Sequence, residues 1–179
     1  MKKSTHSIVI SALSVQSGSS LQTKNIAKTL AKTVLETQSG TGARVIALVG
    51  ELGSGKTTFT QGFAKGLGVK EKILSPTFII MKKFEILASP AGRRNSKSKK
   101  NTKYKILNTR YFYHIDCYRL DDPEKELLHL GWEKIINDPS NIVVVEWADR
   151  IKKILPRNAL RIVFISHGPS TRRLRFLST

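Results

Sequence analysis

Eight residues of this chain have the types and spacing to grip a phosphate group: Gly50-Glu51-Leu52-Gly53-Ser54-Gly55-Lys56-Thr57. Glycines let the backbone curl around phosphate oxygens with its N–H groups aimed inward, because no Cβ stands in the way. Lys56 sets a cation against the outer phosphates, and the Thr57 hydroxyl is a hard oxygen donor for Mg²⁺. A helix opening at Lys56 would add the positive end of its dipole. The apolar run Val45–Val49 precedes the loop and a helical pattern follows it. That is the strand–loop–helix context in which such a loop holds ATP.

A phosphate loop alone hydrolyses nothing; a carboxylate must complete the magnesium site and a group must orient water. Glu146 ends the apolar run Ile142-Val143-Val144-Val145, and Asp116 ends Tyr113-His114-Ile115. The ends of neighbouring strands converge on the phosphates in sheets of this kind, so both acids are candidates, Glu146 as the second magnesium-site acid. Ser75-Pro76-Thr77-Phe78 stands where a hydroxyl can sense an outer phosphate, although Ser-Pro is in itself a turn signal. Trp147 suits either core packing beside a strand or a stack near the base. His114 alternates with Tyr113 and Ile115 and reads as a sheet residue. His6, His129 and His167 have no metal-ligand spacing.

These residues need elements to hold them. Ser20 can cap a helix over Leu21 to about Leu35, where Ile26, Leu30 and Val34 form an apolar face with Ala27, Ala31 and Leu35. The helix from Lys56 shows Phe59, Phe63 and Leu67 on one side and can end at Gly68. Strands are expected at Val45–Val49, Phe78–Met81, Tyr111–Ile115, Ile142–Val145, Leu160–Ile165 and Arg173–Leu177, the last two joined at His167-Gly168-Pro169. Asp122-Pro123 is a cap and first turn for a helix towards Ile136. Ile8-Val9-Ile10 reads as an opening strand, since the run is too short and broken for a secretory signal. The order predicts an α/β chain, one P-loop domain over 1–179, with a mixed, mostly parallel sheet flanked by helices.

Composition narrows the partners. The 31 basic and 13 acidic residues give a net charge of +18, which favours a polyanion such as RNA. Nine Lys or Arg and a single acid, Glu85, fall within 82–105, and 88–103 is a polar, basic, low-complexity insert. A single cysteine, Cys117, excludes an internal disulfide and points to a reducing compartment. No apolar run is long enough to cross a bilayer, and an ATP-binding chain belongs in the cytoplasm. No membrane association is expected.

Taken together, the motifs resemble the TsaE family (also called YjeE), small bacterial P-loop proteins required for threonylcarbamoyladenosine on tRNA. The matching runs are Gly50 to Phe59 with Gly62-Phe63, Ser75-Pro76-Thr77-Phe78, and Tyr113-His114-Ile115-Asp116-Cys117-Tyr118-Arg119-Leu120. Leu130-Gly131, Val145-Glu146-Trp147, Leu155-Pro156 and a closing Arg172 follow in order. The resemblance implies an ATPase of low intrinsic activity that acts on a complex of two companions, TsaB and TsaD. It implies that Gly53, Ser54, Gly55, Lys56, Thr57 and Thr58 hold phosphates and metal, and that Glu146 holds Mg²⁺. Asp116 would be essential for hydrolysis, Trp147 would lie near the nucleotide, and Arg172 or its neighbour Arg173 would approach from the C-terminal strands. The long basic insert and Cys117, where a leucine is usual, depart from the family pattern. The insert is a candidate for contact with the tRNA backbone.

Two other classes remain open on residues alone. A small-molecule kinase on the same loop would show an Arg-rich lid, but Arg93-Arg94 lie in low-complexity sequence. A base-stacking RNA-binding protein would interleave aromatics with basic strands, and Tyr104, Tyr111 and Phe112 are too few.

Overall fold

The structure is a computed structural model, and it describes residues 13–37, 40–74, 80–86 and 111–178. Ser75-Pro76-Thr77-Phe78, Ile8-Val9-Ile10 and the insert at 88–103 lie outside the described residues.

Among the described residues, one seven-stranded sheet organises the fold. Its strands are β1 (Leu13–Ser17), β2 (Arg44–Val49), β3 (Met81–Glu85), β4 (Tyr111–Asp116), β5 (Asn141–Glu146), β6 (Leu160–Ser166) and β7 (Arg172–Ser178), in the order β1-β7-β6-β2-β5-β4-β3. β6, β2, β5 and β4 pair in parallel, while β1–β7, β6–β7 and β3–β4 are antiparallel. β1 therefore runs with the four central strands, and β7 and β3 run against them, which is the expected mixed, mostly parallel sheet. Every residue of β5 is buried, as a strand covered on both faces requires.

Alternation assigns the faces. Ile46, Leu48, Phe112, Ile142, Val144, Ile162, Phe164 and Leu174 face α1 (Ser20–Glu36) and α2 (Lys56–Leu67). Val45, Ala47, Tyr113, Ile115, Val143 and Val145 face the other way, onto α3 (Pro123–His129), α4 (Trp132–Ile136) and a 3-10 turn at Ala148–Ile151. Phe59, Phe63, Phe112 and Phe164 anchor the first layer. Phe59 meets Phe164 edge-on at 5.6 Å, and each such buried ring contributes about 1.5–3 kcal/mol. α1 and α2 approach closely because Gly62 carries no side chain: a Cβ there would strike the backbone of Lys24.

Several boundaries differ from expectation. The α1 cap is Ser19, whose hydroxyl accepts the Gln22 N–H, one residue before Ser20. β1 was not expected; its Leu13 and Val15 do alternate with Ser14 and Gln16, but over only five residues. The helix expected from Asp122 to Ile136 is two helices, because Gly131 adopts φ 82 between them. Of the strand expected at Phe78–Met81, positions 78 and 79 lie outside the described residues and Ile80 is a bend; β3 runs from Met81 to Glu85 and shares only Met81 with the expectation.

Candidate nucleotide site at the ends of the parallel strands

The glycine loop leaves the C-terminal end of β2, the central strand, and enters α2. Gly53 (φ 73) and Gly55 (φ 99) take left-handed conformations that an L side chain resists, and this curls the loop. Gly55 caps α2 without a side-chain hydrogen bond, and the first turn carries no acid. Its leading N–H groups and its dipole are therefore available to an anion. By contrast, Ser19 and Asp122 cap α1 and α3 with their own oxygens.

Lys56 is buried. Its ammonium donates to the Gly50 carbonyl (2.7 Å) and the Glu51 carbonyl (2.9 Å), and sits 3.4 Å from Ser54 Oγ. Burial pushes Lys56 below an ordinary lysine, while Glu146, Asp116, Asp149 and Glu51 pull it back up. Thr58, next on the helix, is half-buried.

Glu146 ends β5 beside the loop, and its carboxylate is buried. Oε2 accepts the Thr57 hydroxyl at 2.8 Å, and Oε1 lies 3.0 Å from Thr60 Oγ1 and 2.8 Å from His114 Nε2. A hydroxyl that donates to Glu146 keeps its lone pairs, so Thr57 and Glu146 together present hard oxygens to a small divalent cation. Among the described residues no three His, Cys, Asp or Glu form a metal cage. The donor set suits Mg²⁺, which takes few protein ligands and fills its octahedron with phosphates and waters.

Asp116 pairs in register with Glu146 across β4 and β5 and is half-buried. Its Oδ1 accepts the Tyr118 N–H at 3.0 Å, which fixes the turn after the strand. Trp147 follows Glu146 in a left-handed conformation (φ 57), the sole non-glycine residue with positive φ among those described. Such a backbone costs on the order of 1 kcal/mol or more for a bulky residue and signals a constrained position. Its ring stacks on Tyr118 at 4.7 Å. Arg150 ties the same turn down by donating to the Cys117 and Tyr118 carbonyls at 2.6 and 2.7 Å.

Between the two C-terminal arginines the geometry separates. Arg172 donates to the Gly53 carbonyl at 3.3 Å and to the Gly168 carbonyl at 2.8 Å, linking the β6–β7 turn to the phosphate loop. Arg173 sits inside the ladder, opposite Gln16 and Ile165. Lys56, Thr57, Asp116, Glu146, Trp147 and Arg172 thus gather at one end of the sheet. Thr60, His114, Tyr118 and Arg150 join them unforeseen. His114 had a legible signal: it stands two residues before Asp116, and so faces the same side of the sheet.

The likeness to known proteins follows the same outline. The family described as “Threonylcarbamoyl adenosine biosynthesis protein TsaE” matches residues 17–174. A tRNA threonylcarbamoyladenosine biosynthesis protein TsaE of Bacillus subtilis is 34% identical over 132 residues, covering 74% of this chain and 68% of that protein. Its counterpart in Haemophilus influenzae is 31% identical, covering 76% and 71%. The Nostoc protein of that name is 36% identical, covering 62% of this chain and 56% of its own length, so the chain spans little more than half of that relative. The crystal structure of Bacillus subtilis YdiB superposes with a TM-score of 0.63 at 27% identity, over 94% of this chain and 86% of that one. With its central strands, phosphate loop and closing arginine all inside the matched span, the chain belongs to the TsaE family.

Proposed function

We propose that this chain binds and slowly hydrolyses ATP with Mg²⁺, and that it uses the cycle to sustain tRNA threonylcarbamoyladenosine formation by a TsaB–TsaD partner complex in the cytoplasm. The observation that carries the chemistry is the 2.8 Å bond from Thr57 to Glu146, beside an α2 N-terminus with no cap of its own. The family membership carries the pathway.

In this reading Gly53, Ser54, Gly55, Lys56, Thr57 and Thr58 hold the phosphates, and bound Mg²⁺ neutralises charge on the transferred phosphoryl group. Thr57 and Glu146 hold the metal. Asp116, next to Glu146 in register, orients the attacking water. Trp147 flanks the nucleotide and Arg172 steadies the loop from the far side. Among the described residues no helix is long and apolar enough to cross a membrane. The basic insert would meet the tRNA backbone; deleting residues 92–103 should then weaken tRNA binding at low salt, and unchanged affinity would remove that contact.

The test is reconstitution of tRNA threonylcarbamoylation with the companion proteins, with and without this chain, and with Lys56→Ala as control. Many turnovers restored by the wild type and not by the variant would support the proposal. Equal turnover in all three reactions would refute it.

A further inference from the structure

Glu146 is held by more than its metal-side neighbour. Phe112, His114 and Asp116 alternate onto the α2 face of β4, the face that Ile142, Val144 and Glu146 present from β5. This brings His114 Nε2 to 2.8 Å from Glu146 Oε1, with His114 1% exposed and Glu146 2% exposed at the side chain. When Glu146 is ionised, as a metal ligand must be, it can only accept, and the tautomer of His114 that bonds it carries its hydrogen on Nε2.

Thr60 is the other neighbour of Oε1, but its single proton is contested. Its hydroxyl lies 3.0 Å from the Lys56 carbonyl and 3.0 Å from Glu146 Oε1, and it can donate to one at a time. Among the described residues, His114 is the uncontested donor to Oε1. With Oε1 so occupied, the carboxylate is fixed in rotation and Oε2 is the oxygen turned to Thr57.

We propose that His114 is a positioning residue for the magnesium site: its Nε2–H clamps Oε1 of Glu146, so that the acid works through Oε2 alone. The proposal rests on the nucleotide-and-magnesium reading of the site. His114 touches neither nucleotide nor metal, and acts through the acid. Residues that orient a metal-binding group from behind change metal affinity by about 10–100-fold when removed.

The experiment is nucleotide binding by calorimetry, with Mg²⁺ and with EDTA, on wild type, His114→Leu and His114→Gln. In EDTA the three should agree within about threefold. Added Mg²⁺ should tighten wild-type binding, and that gain should shrink at least about tenfold in His114→Leu. His114→Gln, whose amide can donate to the same oxygen, should recover most of the gain. A full magnesium gain in His114→Leu, or no recovery in His114→Gln, would overturn the assignment. Should the Leu variant fail to fold, ¹⁵N NMR of the wild-type imidazole decides: Nε2 must be the protonated nitrogen, and a bare Nε2 sinks the clamp. If the wild type itself shows no magnesium gain, the site reading fails first, which is a distinct result.

Discussion

Lys56 lies against the face of Trp147, its ammonium 4.0 Å from the ring centroid. A cation over an indole face is held by the ring quadrupole, worth about 0.5–2 kcal/mol depending on desolvation. In the proposed site the same lysine turns towards phosphate, which would couple nucleotide binding to the environment of the Trp147 ring.

That coupling predicts an optical signal. The chain has two tryptophans, and Trp132 is buried with its indole N–H on the Ile154 carbonyl. ATP should change wild-type tryptophan emission, and Trp147→Phe should abolish the change. A response that persists in the variant would place the signal elsewhere. Lys56→Ala should weaken ATP binding by at least about 100-fold, or ~2.7 kcal/mol. Because burial lowers the Lys56 pKa, affinity should begin to fall with rising pH before the 10.5 of an ordinary lysine.

Glu146→Ala removes the acceptor of Thr57 and His114, while Thr60 keeps the Lys56 carbonyl. Leaving buried donors unpaired costs about 1–3 kcal/mol. The variant should melt earlier and keep some ATP affinity, yet lose magnesium-dependent hydrolysis. Hydrolysis equal to the parent, with equal affinity, would show that another group completes the site.

Cys117 gives a pH-dependent stability with a definite sign. Burial, helped by Asp116, pushes the thiol up to about 12 from its ordinary 9.0. Between those values the unfolded chain releases the proton and the folded chain retains it. The stabilising contribution is complete below pH 9 and is lost as pH rises towards 12, at about 1.4 kcal/mol per unit. The stability difference between wild type and Cys117→Ala, followed by denaturant titration from pH 8 to 10.5, should shrink accordingly. A difference constant with pH would mean that the thiol ionises equally in both states.

Gly62→Ala places a methyl group against the Lys24 backbone, where α1 meets α2. Backbone cannot rotate aside, so the helices must separate, at about 1–3 kcal/mol. Gly40→Ala, which meets nothing within 4 Å, is the control and should change stability by less than about 1 kcal/mol. Equal denaturation midpoints for the two variants would show that the helix pair yields freely.

The central sheet was legible because its strands are nearly continuous apolar runs: β2 and β5 were expected within a residue or two of where they lie. The phosphate loop was legible because glycine and lysine spacing encodes its mechanism. Other features depend on partners far along the chain. Nothing local says that Thr60, three residues after Thr57, reaches an acid 86 residues away. Nor does the sequence around Arg172 and Arg173 choose between them. Arg172 reaches the loop because it stands where β7 begins, next to the turn. Gly131 was in plain view, but the expectation rested on the Asp122-Pro123 start and set no stop before Ile136.

The contact from Arg172 to Gly53 joins positions 119 residues apart. During synthesis at 5–20 residues per second, the ribosome reaches the arginine roughly 6–24 s after the glycine. For that interval the nascent loop lacks its arginine, and for most of it also β5 and β6, the strands that flank β2. The newborn chain should therefore gain its nucleotide grip late and abruptly, when the closing strand docks. An arrest or truncation short of Arg172 would leave the glycine loop translated but slack.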